Sequence, residues 1–403
     1  MTSGPGNGTP TGPPTSFPAG GPTDGRTGTT TGETTTGETT AGAAHPADAN
    51  RPADTTHAAD TSHPAGTANP EGTTSSDGTT NLAGTTHPVG APSPATALAR
   101  VLPAVGGMDT IERLAGLSGS DFTTVMLEVT RLRAARETPA SVRRRYSADR
   151  FTTPGHTSWR ALRRAEEALL ACLPPHVEML TLAPVVPLGT HSALATVSQQ
   201  KVLTTIRACE VAADPTNALA LEAAVRRVHD RTTTVRLGAL QRVVRTQLPG
   251  PGFTAHFGLF GLVTAGRDEG DNRFERRALA EHLRFAVASL AAARLRYVQL
   301  ALTPLSEAGE RIAAAVTSDL SGDRSPGTAA VIVVDHTRSS GRGYYRDLCF
   351  KVNARTDGRH PDNLQEIGDG GFASWTQQLV ASRKERLLIS GIGVDRLAAC
   401  GPP

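Results

Sequence analysis

The chain contains few aromatic residues, few cysteines and very few lysines. Aromatic residues make up 4% of the 403 residues, and only three residues are lysine. The four cysteines are far apart and form no C-x-x-C pair: Cys172, Cys209, Cys349 and Cys400. This spacing argues against a zinc ribbon or a disulfide framework and favours buried thiols in a reducing compartment. A cytoplasmic location is therefore expected.

Long apolar runs and clustered metal ligands are also missing from the sequence. No stretch of 18 apolar residues is present, so no membrane-spanning helix and no membrane partner are expected. No apolar signal segment stands at the start of the sequence. Four of the twelve histidines fall in the first 97 residues, and none forms an H-E-x-x-H pattern. No structural metal site is expected.

Residues 1–97 differ in composition from the rest of the chain. They consist mainly of Thr, Gly, Pro, Ala and Ser, with repeats such as "TGETTTGETT" and one aromatic residue, Phe17. Such a segment buries too little apolar surface to offset the entropy lost on ordering, so a disordered tail is predicted. A glycosylated stalk is the alternative that the Pro and Thr content leaves open.

Charge is distributed unevenly between the tail and the remainder. The tail holds two basic and eight acidic residues, which leaves 39 basic and 30 acidic residues, near +9, for the remainder. This excess favours an anionic partner such as ATP, RNA or an acidic carrier protein.

The remainder shows the periodicities of an ordered protein. Residues 98–155 carry apolar residues at helical spacing and are predicted to form a helical prelude. Residues 156–403 alternate helices with β-rich runs, and "PGPG" at 249–252 predicts a hairpin. The Asp214–Pro215–Thr216 turn is expected to cap a helix. Strands joined by hairpins predict an α+β fold with an antiparallel sheet flanked by helices.

Five segments of residues 158–403, taken in order, resemble the class II aminoacyl-tRNA synthetase core, in its histidyl-tRNA synthetase-like branch. Residues 158–188 resemble motif 1, a dimer-interface element, so a homodimer is implied. The other four segments are "EVAADPTNALALEAA" (the amino-acid contact region), "QRVVRTQ" (motif 2), "GRGYYRDLCFKV" with "EIGDGGFASW" (the double-tyrosine segment and a glycine-rich strand), and "SGIGVDRLA" (motif 3).

The resemblance implies a nucleotide site that forms an acyl-adenylate from ATP and Mg²⁺. That reaction needs positive charge on both sides of the α-phosphate, and planar guanidinium groups suit phosphate oxygens. By resemblance, Arg245 contacts the α-phosphate and Arg396 the far phosphates. The other implied residues are Gly391 and Gly393 beside the nucleotide, with Asp214, Thr216, Tyr344 and Tyr345 near the substrate.

Each of these residues also has an ordinary structural interpretation. Arg245 could be an exposed strand residue and Arg396 a helix-surface charge, while Asp214 could serve only as a helix cap. If the two tyrosines are neighbours in a strand, their side chains face opposite sides, so at most one of them is expected to line a pocket.

Some positions depart from the family pattern. Ser340 stands where the histidyl enzymes have a catalytic arginine, and Arg338 or Arg342 could substitute. Gln247 replaces the acidic residue of motif 2. Leu259 and Val263 fall where polar pocket residues are expected, which predicts an apolar pocket floor. No anticodon-binding domain follows motif 3 in this sequence, so tRNA is not expected as a partner.

Two functions from different classes follow from the resemblance. The first is an ATP-dependent ligase that adenylates a small amino or carboxylic acid, other than histidine, for a non-tRNA acceptor such as a carrier protein. The second is a non-catalytic paralogue similar to the regulatory subunit of ATP phosphoribosyltransferase, with an enzyme subunit as its partner. A tRNA ligase whose recognition module is residues 98–155 is a third interpretation. The two arginines favour the first function, whereas Ser340 and the apolar floor favour the second.

Overall fold

An eight-stranded mixed sheet organises the protein, seen here in a computed structural model. The structure describes residues 94–247, 254–323, 325, 327–355 and 364–401. The helices are α1 Pro94–Val101, α2 Met108–Ala115, α3 Gly119–Ala134, α4 Pro139–Ala148, α5 Trp159–Ala171, α6 Pro215–His229, α7 Arg273–Ala292, α8 Glu307–Leu320, α9 Trp375–Leu379 and α10 Val394–Cys400. The strands are β1 Glu178–Met179, β2 Val185–Pro187, β3 Cys209–Val211, β4 Val235–Val244, β5 His256–Arg267, β6 Tyr297–Pro304, β7 Ala329–Val334, β8 Arg346–Arg355, β9 Gln365–Phe372 and β10 Glu385–Gly393.

The sheet has the strand order β1-β4-β5-β10-β9-β8-β6-β7, and β2 pairs separately with β3. The six central strands are antiparallel, as the hairpin pattern predicted, but β1–β4 and β6–β7 pair in parallel at the two edges. The β6–β7 pair is parallel because α8, a helix that the sequence interpretation did not name, carries the chain back across the sheet. The α+β class with flanking helices is confirmed.

The structure tests the predictions for the N-terminal region only from residue 94 onward. Residues 1–93, and with them nearly all of the predicted tail, lie outside the described residues, as does the "PGPG" turn. Helices α1 to α4 cover much of the predicted helical prelude, and none of the side chains described in these four helices is buried. The three predicted domain boundaries and the homodimer contact at residues 158–188 stay predictions.

Two apolar clusters cover the two faces of the sheet. Helices α5, α7, α8 and α10 pack on one face through a cluster that includes Leu169, Phe274 and Leu283. Helix α6 packs on the other face through Leu219, Ala220 and Ala223. This second face, called the cleft face below, carries the site, whose lining residues come from β9, β10 and the N-terminal end of α6 among other segments.

A buried ion pair fixes α6 to the sheet. Arg227 is fully buried, and its Nε and Nη2 lie 2.8 and 3.0 Å from the carboxylate oxygens of Glu385, at the start of β10. Nη1 of Arg227 also donates to the carbonyl oxygen of Thr233 at 2.6 Å. The neighbouring Arg226 makes only partly exposed pairs with Glu178 and Glu222. Arg227 therefore makes a buried ion pair, whereas the adjacent Arg226 makes ion pairs that are partly exposed to solvent.

Replacing Arg227 by Ala is expected to lower the free energy of unfolding by about 3–5 kcal/mol, because it leaves the buried Glu385 carboxylate unpaired. Arg226→Ala is the matched control and should cost about 0–1 kcal/mol, as exposed pairs usually do. Urea unfolding of the full chain measures both variants. Equal losses in the two variants would contradict the role given to the buried pair.

Candidate functional site

The strand register places a row of small and charged residues across the cleft face. Gly391 of β10 pairs with Gly261 of β5 on one side and with Asp369 of β9 on the other. Asp369 pairs in turn with Lys351 of β8. Paired residues of antiparallel strands point their side chains to the same face. The row therefore places one carboxylate beside two positions that carry no side chain.

The glycines in this region differ in whether the fold requires a residue without a side chain. A Cβ on Gly261 would lie 2.8 Å from Cγ of Pro215, so glycine is needed there for the first turn of α6 to approach the sheet. A Cβ on Gly368 would lie 2.3 Å from the carbonyl oxygen of Gly391. At Gly391 itself the nearest atom is Cδ1 of Leu259 at 3.6 Å, an ordinary contact. Gly391 thus leaves space that the fold does not need.

Asp214 is the N-cap of α6, as the sequence predicted. Its Oδ1 accepts hydrogen bonds from the backbone N–H of Thr216 at 2.9 Å and from the Thr216 hydroxyl at 2.7 Å. Pro215 occupies the first helical turn, where its missing N–H costs nothing. Asp214 and Thr216 both line the cleft, so the cap also positions the site.

Arg245 follows the end of β4 and turns back toward this cap. Its Nε donates to the carbonyl oxygen of Ala213 at 3.1 Å, and its Nη2 lies 3.5 Å from Oδ2 of Asp214. The guanidinium carbon stands 5.2 Å from the centre of the Phe257 ring. The guanidinium lines the cleft and is mostly buried.

A histidine and a glutamate that the sequence interpretation did not single out hold the segment before Asp214. Nε2 of His191 accepts the backbone N–H of Ala213 at 3.0 Å, so the proton resides on Nδ1, which donates to Oε1 of Glu210 at 2.6 Å. Both side chains are buried. Glu210 also accepts the backbone N–H groups of Gly189 and His191. No sequence motif signals this brace, because its members lie 19 residues apart.

Both tyrosines line the cleft, so the expectation that at most one would do so is wrong. They precede β8 in a turn in which both backbone N–H groups donate to the carbonyl oxygen of Gly341, and the alternation of a strand does not apply there. The Tyr344 ring makes edge contacts with Tyr345 at 4.8 Å and with Trp375 at 5.6 Å. Burial raises the pKa of both phenols well above the usual value, so both stay neutral.

Asp369 is a cleft-lining carboxylate that the sequence interpretation did not identify. Burial raises its pKa to about 6, against the opposing effect of the nearby Arg338. Nη2 of Arg338 and the Tyr345 hydroxyl both approach Oδ2 of Asp369, each at 3.4 Å. At pH 7.5 the carboxylate is ionised with only long hydrogen bonds to support it.

Arg338 occupies the neighbourhood of Ser340, the position where the family has its arginine. Its Nε donates to the carbonyl oxygen of Ser340 at 3.0 Å, and the guanidinium is almost fully buried behind Asp369. Nη1 of Arg338 is buried without a hydrogen-bond partner among the described residues. Arg342 is exposed and hydrogen-bonds only back to the carbonyl oxygen of Arg338. Of the two arginines named as substitutes, Arg338 is the one that reaches the site.

Arg396 lies at the edge of the cleft and does not line it. Its Nη1 donates to the carbonyl oxygen of Glu366 at 2.7 Å, and burial lowers the pKa of the guanidinium. Its side chain lies beside Gly393, where a Cβ would be 3.4 Å from Cδ of Arg396. The preceding Asp395 accepts the backbone N–H of Gly258 at 2.6 Å, which ties α10 to β5.

The cleft gathers seven of the eight residues named from the sequence. Its lining residues are Asp214, Thr216, Arg245, Leu259, Tyr344, Tyr345, Ile367, Gly368, Asp369, Ile389, Ser390, Gly391 and Gly393. Leu259 therefore belongs to the apolar floor that was predicted, whereas Val263 is buried under α6 and lies outside it. A second cleft of about 430 Å³, which includes Lys201, Asn217 and Gln247, shares Asp214, Arg245 and Tyr344 with the first.

Other kinds of site are not seen in the described part of the chain. No group of three or more His, Cys, Asp or Glu side chains among the described residues is arranged to hold a metal ion. No described helix is both long and apolar enough to cross a membrane. The four cysteines are all unpaired.

Solved structures of similar fold include three bacterial proteins. Histidyl-tRNA synthetase from S. aureus matches 60% of this chain at 13% identity with a TM-score of 0.45. An ATP phosphoribosyltransferase regulatory subunit/histidyl-tRNA synthetase from Bacillus halodurans matches 63% of this chain at 13% identity with a TM-score of 0.46. A histidine–tRNA ligase subunit from Alicyclobacillus acidocaldarius matches 62% of this chain at 14% identity with a TM-score of 0.45.

These likenesses concern the fold alone. They agree with the class II synthetase resemblance that the five motifs predicted, but at such identities and TM-scores they say nothing about substrate or reaction. The chain spans 65% of the S. aureus protein, 83% of the B. halodurans protein and 95% of the A. acidocaldarius protein. No family model and no curated protein sequence matches this chain.

The two glycines give a direct test of the cleft geometry. Gly391→Ala is expected to leave the free energy of unfolding within about 1 kcal/mol of the wild-type value, because the new methyl group meets only ordinary contacts. Gly368→Ala should cost about 3 kcal/mol or more, because its methyl group would overlap the Gly391 carbonyl. Thermal and urea unfolding measure both variants. A stable Gly368→Ala variant would show that the strands are not packed as described.

Proposed function

We propose that this protein is an ATP-dependent ligase that adenylates a small amino or carboxylic acid for transfer to a non-tRNA acceptor. The observation that carries the proposal is the convergence of Arg245, Asp214 and Gly391, from three distant segments, on one cleft. The chain's own residues fit a nucleotide there: Gly391 leaves room that a Cβ would fill, and a guanidinium stands at the same wall. A carrier protein is the proposed acceptor and the cytoplasm the proposed location.

The proposed reaction joins a carboxylate to the α-phosphorus of ATP. The carboxylate oxygen forms a new bond to phosphorus, the bond to the bridging oxygen breaks, and pyrophosphate leaves with that electron pair. Mg²⁺ would supply further positive charge beside the phosphates when bound. Arg245 swings from its long 3.5 Å contact with Asp214 to stabilise the charge that develops on the α-phosphate. Arg396 lies near Gly393 and balances charge on the leaving phosphates.

A non-catalytic regulatory subunit is the second candidate function. Two specific observations favour it. Ser340 stands in the place of a catalytic arginine, and Arg338, which reaches that region, is engaged with Asp369 and does not line the cleft. In addition, Leu259 presents an apolar surface where the family has polar residues. In this alternative the cleft binds a ligand and the chain passes the effect to a partner enzyme subunit.

Replacing Arg245 or Arg396 by Ala is expected to weaken ATP binding about 10- to 100-fold for each variant. Each change removes charge-assisted hydrogen bonds of about 1.5–3 kcal/mol, and about 1.4 kcal/mol corresponds to a factor of ten. Arg→Lys should also weaken binding, because a point charge does not reproduce the planar fork. Gly391→Ala, whose methyl group enters the cleft, should weaken binding without loss of stability. Calorimetry with Mg²⁺-ATP measures these affinities.

Arg144→Ala, an exposed change in α4, is the control and should leave the affinity within error. Wild-type protein that binds no ATP would contradict the proposal, as would Arg245→Ala protein that binds it normally. Pyrophosphate exchange separates the two candidate functions. A ligase exchanges pyrophosphate into ATP in the presence of its acid and loses that activity when either arginine is replaced, whereas a regulatory subunit binds ligand and catalyses no exchange.

A further inference from the structure

Asp369 takes no part in the chemistry proposed above, yet it stands in the middle of the cleft floor. Its neighbours in the row are Gly391 and then Gly261, so no side chain of β10 or β5 covers it from that side. Both hydrogen bonds that it accepts from side chains end on Oδ2, one from Arg338 and one from Tyr345. Its Oδ1 receives no side-chain hydrogen bond from the described residues and is available to a ligand.

Asp214, the other carboxylate of the cleft, is already engaged. Its Oδ1 accepts two short hydrogen bonds from Thr216, and its Oδ2 faces Arg245 at 3.5 Å. Those bonds hold the first turn of α6, so a ligand that took them would uncap the helix. The resemblance assigns the contact with the amino acid to the position of Asp214. The geometry leaves Asp369 as the carboxylate that can accept a new partner.

The charges around Asp369 do not neutralise it fully. Lys351, its neighbour in the row, is paired with Glu366 at 2.8 Å. Arg245 is directed to Asp214. Among the described residues, Arg338 is the cation paired with Asp369, at 3.4 Å, which is long for a charged pair. The carboxylates of Glu366 and Asp214 and the neutral phenols of the two adjacent tyrosines complete its surroundings.

The remaining walls of the cleft suit an organic cation of small size. Leu259, Ile367 and Ile389 supply apolar surface, and Tyr344 supplies an aromatic ring. Aromatic faces attract ammonium groups, and a partly buried carboxylate gives a charge-assisted hydrogen bond to one. An acid without an amine would leave Oδ1 of Asp369 desolvated without compensation, which disfavours its binding.

We propose that Oδ1 of Asp369 binds a protonated amine of the substrate, so that the acid recognised by this cleft is an amino acid and not an amine-free carboxylic acid. This proposal rests on the proposed function, because it names the substrate class of the same cleft. It makes Asp369, and not Asp214, the residue that selects for the amine. Arg338 and Tyr345 then act as positioning residues, since both hold Oδ2 and thereby orient Oδ1.

The proposal predicts a pH dependence with a definite sign. Burial raises the pKa of the Asp369 carboxyl to about 6 in the free protein. An ammonium group binds the ionised carboxylate, so amino-acid affinity is full above this pKa and falls as the pH drops below it. Binding near pH 6 must therefore release protons, roughly half a proton per site, and binding at pH 8 should release almost none.

The experiment compares ligand pairs that differ only in the α-amine: glycine against acetate, L-alanine against propionate, and L-valine against isovalerate, within a panel of the twenty amino acids. Calorimetry on the full chain, with and without Mg²⁺-ATP, measures each affinity at pH 8 and pH 6. At least one amino acid is expected to bind 10-fold or more tightly than its amine-free partner. Asp369→Asn should weaken that amino acid 10- to 100-fold and leave ATP affinity within about twofold.

Asp323→Asn is the control, since it removes an exposed carboxylate paired with Arg284 at the end of α8, away from the cleft. Asp369→Asn protein should remain folded at pH 7.5, because the amide has the same shape as the carboxyl group and its oxygen still accepts a hydrogen bond from the buried Arg338. The wild-type pH titration needs no variant and tests the same carboxylate. The Asp369→Asn variant, its control and the pH titration together distinguish a role of Asp369 in selecting the amine from a purely structural role.

Three results would each overturn the proposal: equal binding of amine-bearing and amine-free acids, normal amino-acid binding by Asp369→Asn, or no amino-acid binding by a wild-type chain that binds ATP. Failure of the proposed function is distinct from all three. It would appear as a wild-type chain that binds no ATP, while amine-selective binding at Asp369 would still be measured without the nucleotide.

Discussion

The close approach of α6 to the middle of the sheet is the constraint on which the site depends. Pro215 can pack against β5 only because Gly261 has no side chain, and a methyl group there would lie 2.8 Å from the proline ring. This approach brings the Asp214 cap over the centre of the cleft face. Arg245, at the end of β4, then meets the cap from the other side. The ion pair between Arg227 and Glu385 holds the far end of the same helix.

Charge in the cleft is arranged in two unequal pairs. Asp214 faces Arg245 at 3.5 Å while also capping α6, and Asp369 faces Arg338 at 3.4 Å with one oxygen left over. A site that fully matched its own charges would have little to offer a ligand, because binding would have to break existing pairs. At this site the contact with Asp369 is weak, and Nη1 of Arg338 is one of ten buried side-chain atoms of the described residues that have no hydrogen-bond partner. A carboxylate in a cleft whose pKa is raised by burial and whose hydrogen bonds are incomplete is a candidate functional group.

Local sequence signals predicted the parts of the site that depend on a single segment. The Asp-Pro-Thr turn identified the α6 cap, and "SGIGVDRLA" placed glycines at the end of β10 and an arginine in α10. The hairpin pattern predicted the antiparallel centre of the sheet. These features follow from capping, glycine conformation and strand periodicity, each of which acts over a few residues.

The parts that sequence reasoning missed depend on contacts between distant segments. Asp369 pairs with Arg338, 31 residues away, and neither residue lies in a pattern that specifies its partner. The tyrosine pair was misjudged because a turn stabilised by Gly341, and not a strand, sets the direction of both rings. The parallel pair at the β6–β7 edge depends on the α8 crossover, which periodicity alone does not place in the sheet. Side-chain convergence of this kind follows from the register of the whole sheet.

Amide hydrogen exchange of the full chain, with and without Mg²⁺-ATP, tests most directly whether this cleft is the ligand site. The account predicts slower exchange on ATP addition in the peptides that cover residues 213–217 and 389–396, because these backbones line the cleft or adjoin it. Peptides from α8, on the opposite face of the sheet, should exchange at unchanged rates. Unchanged exchange in both cleft peptides of a folded chain, or protection confined to residues 94–148, would contradict it.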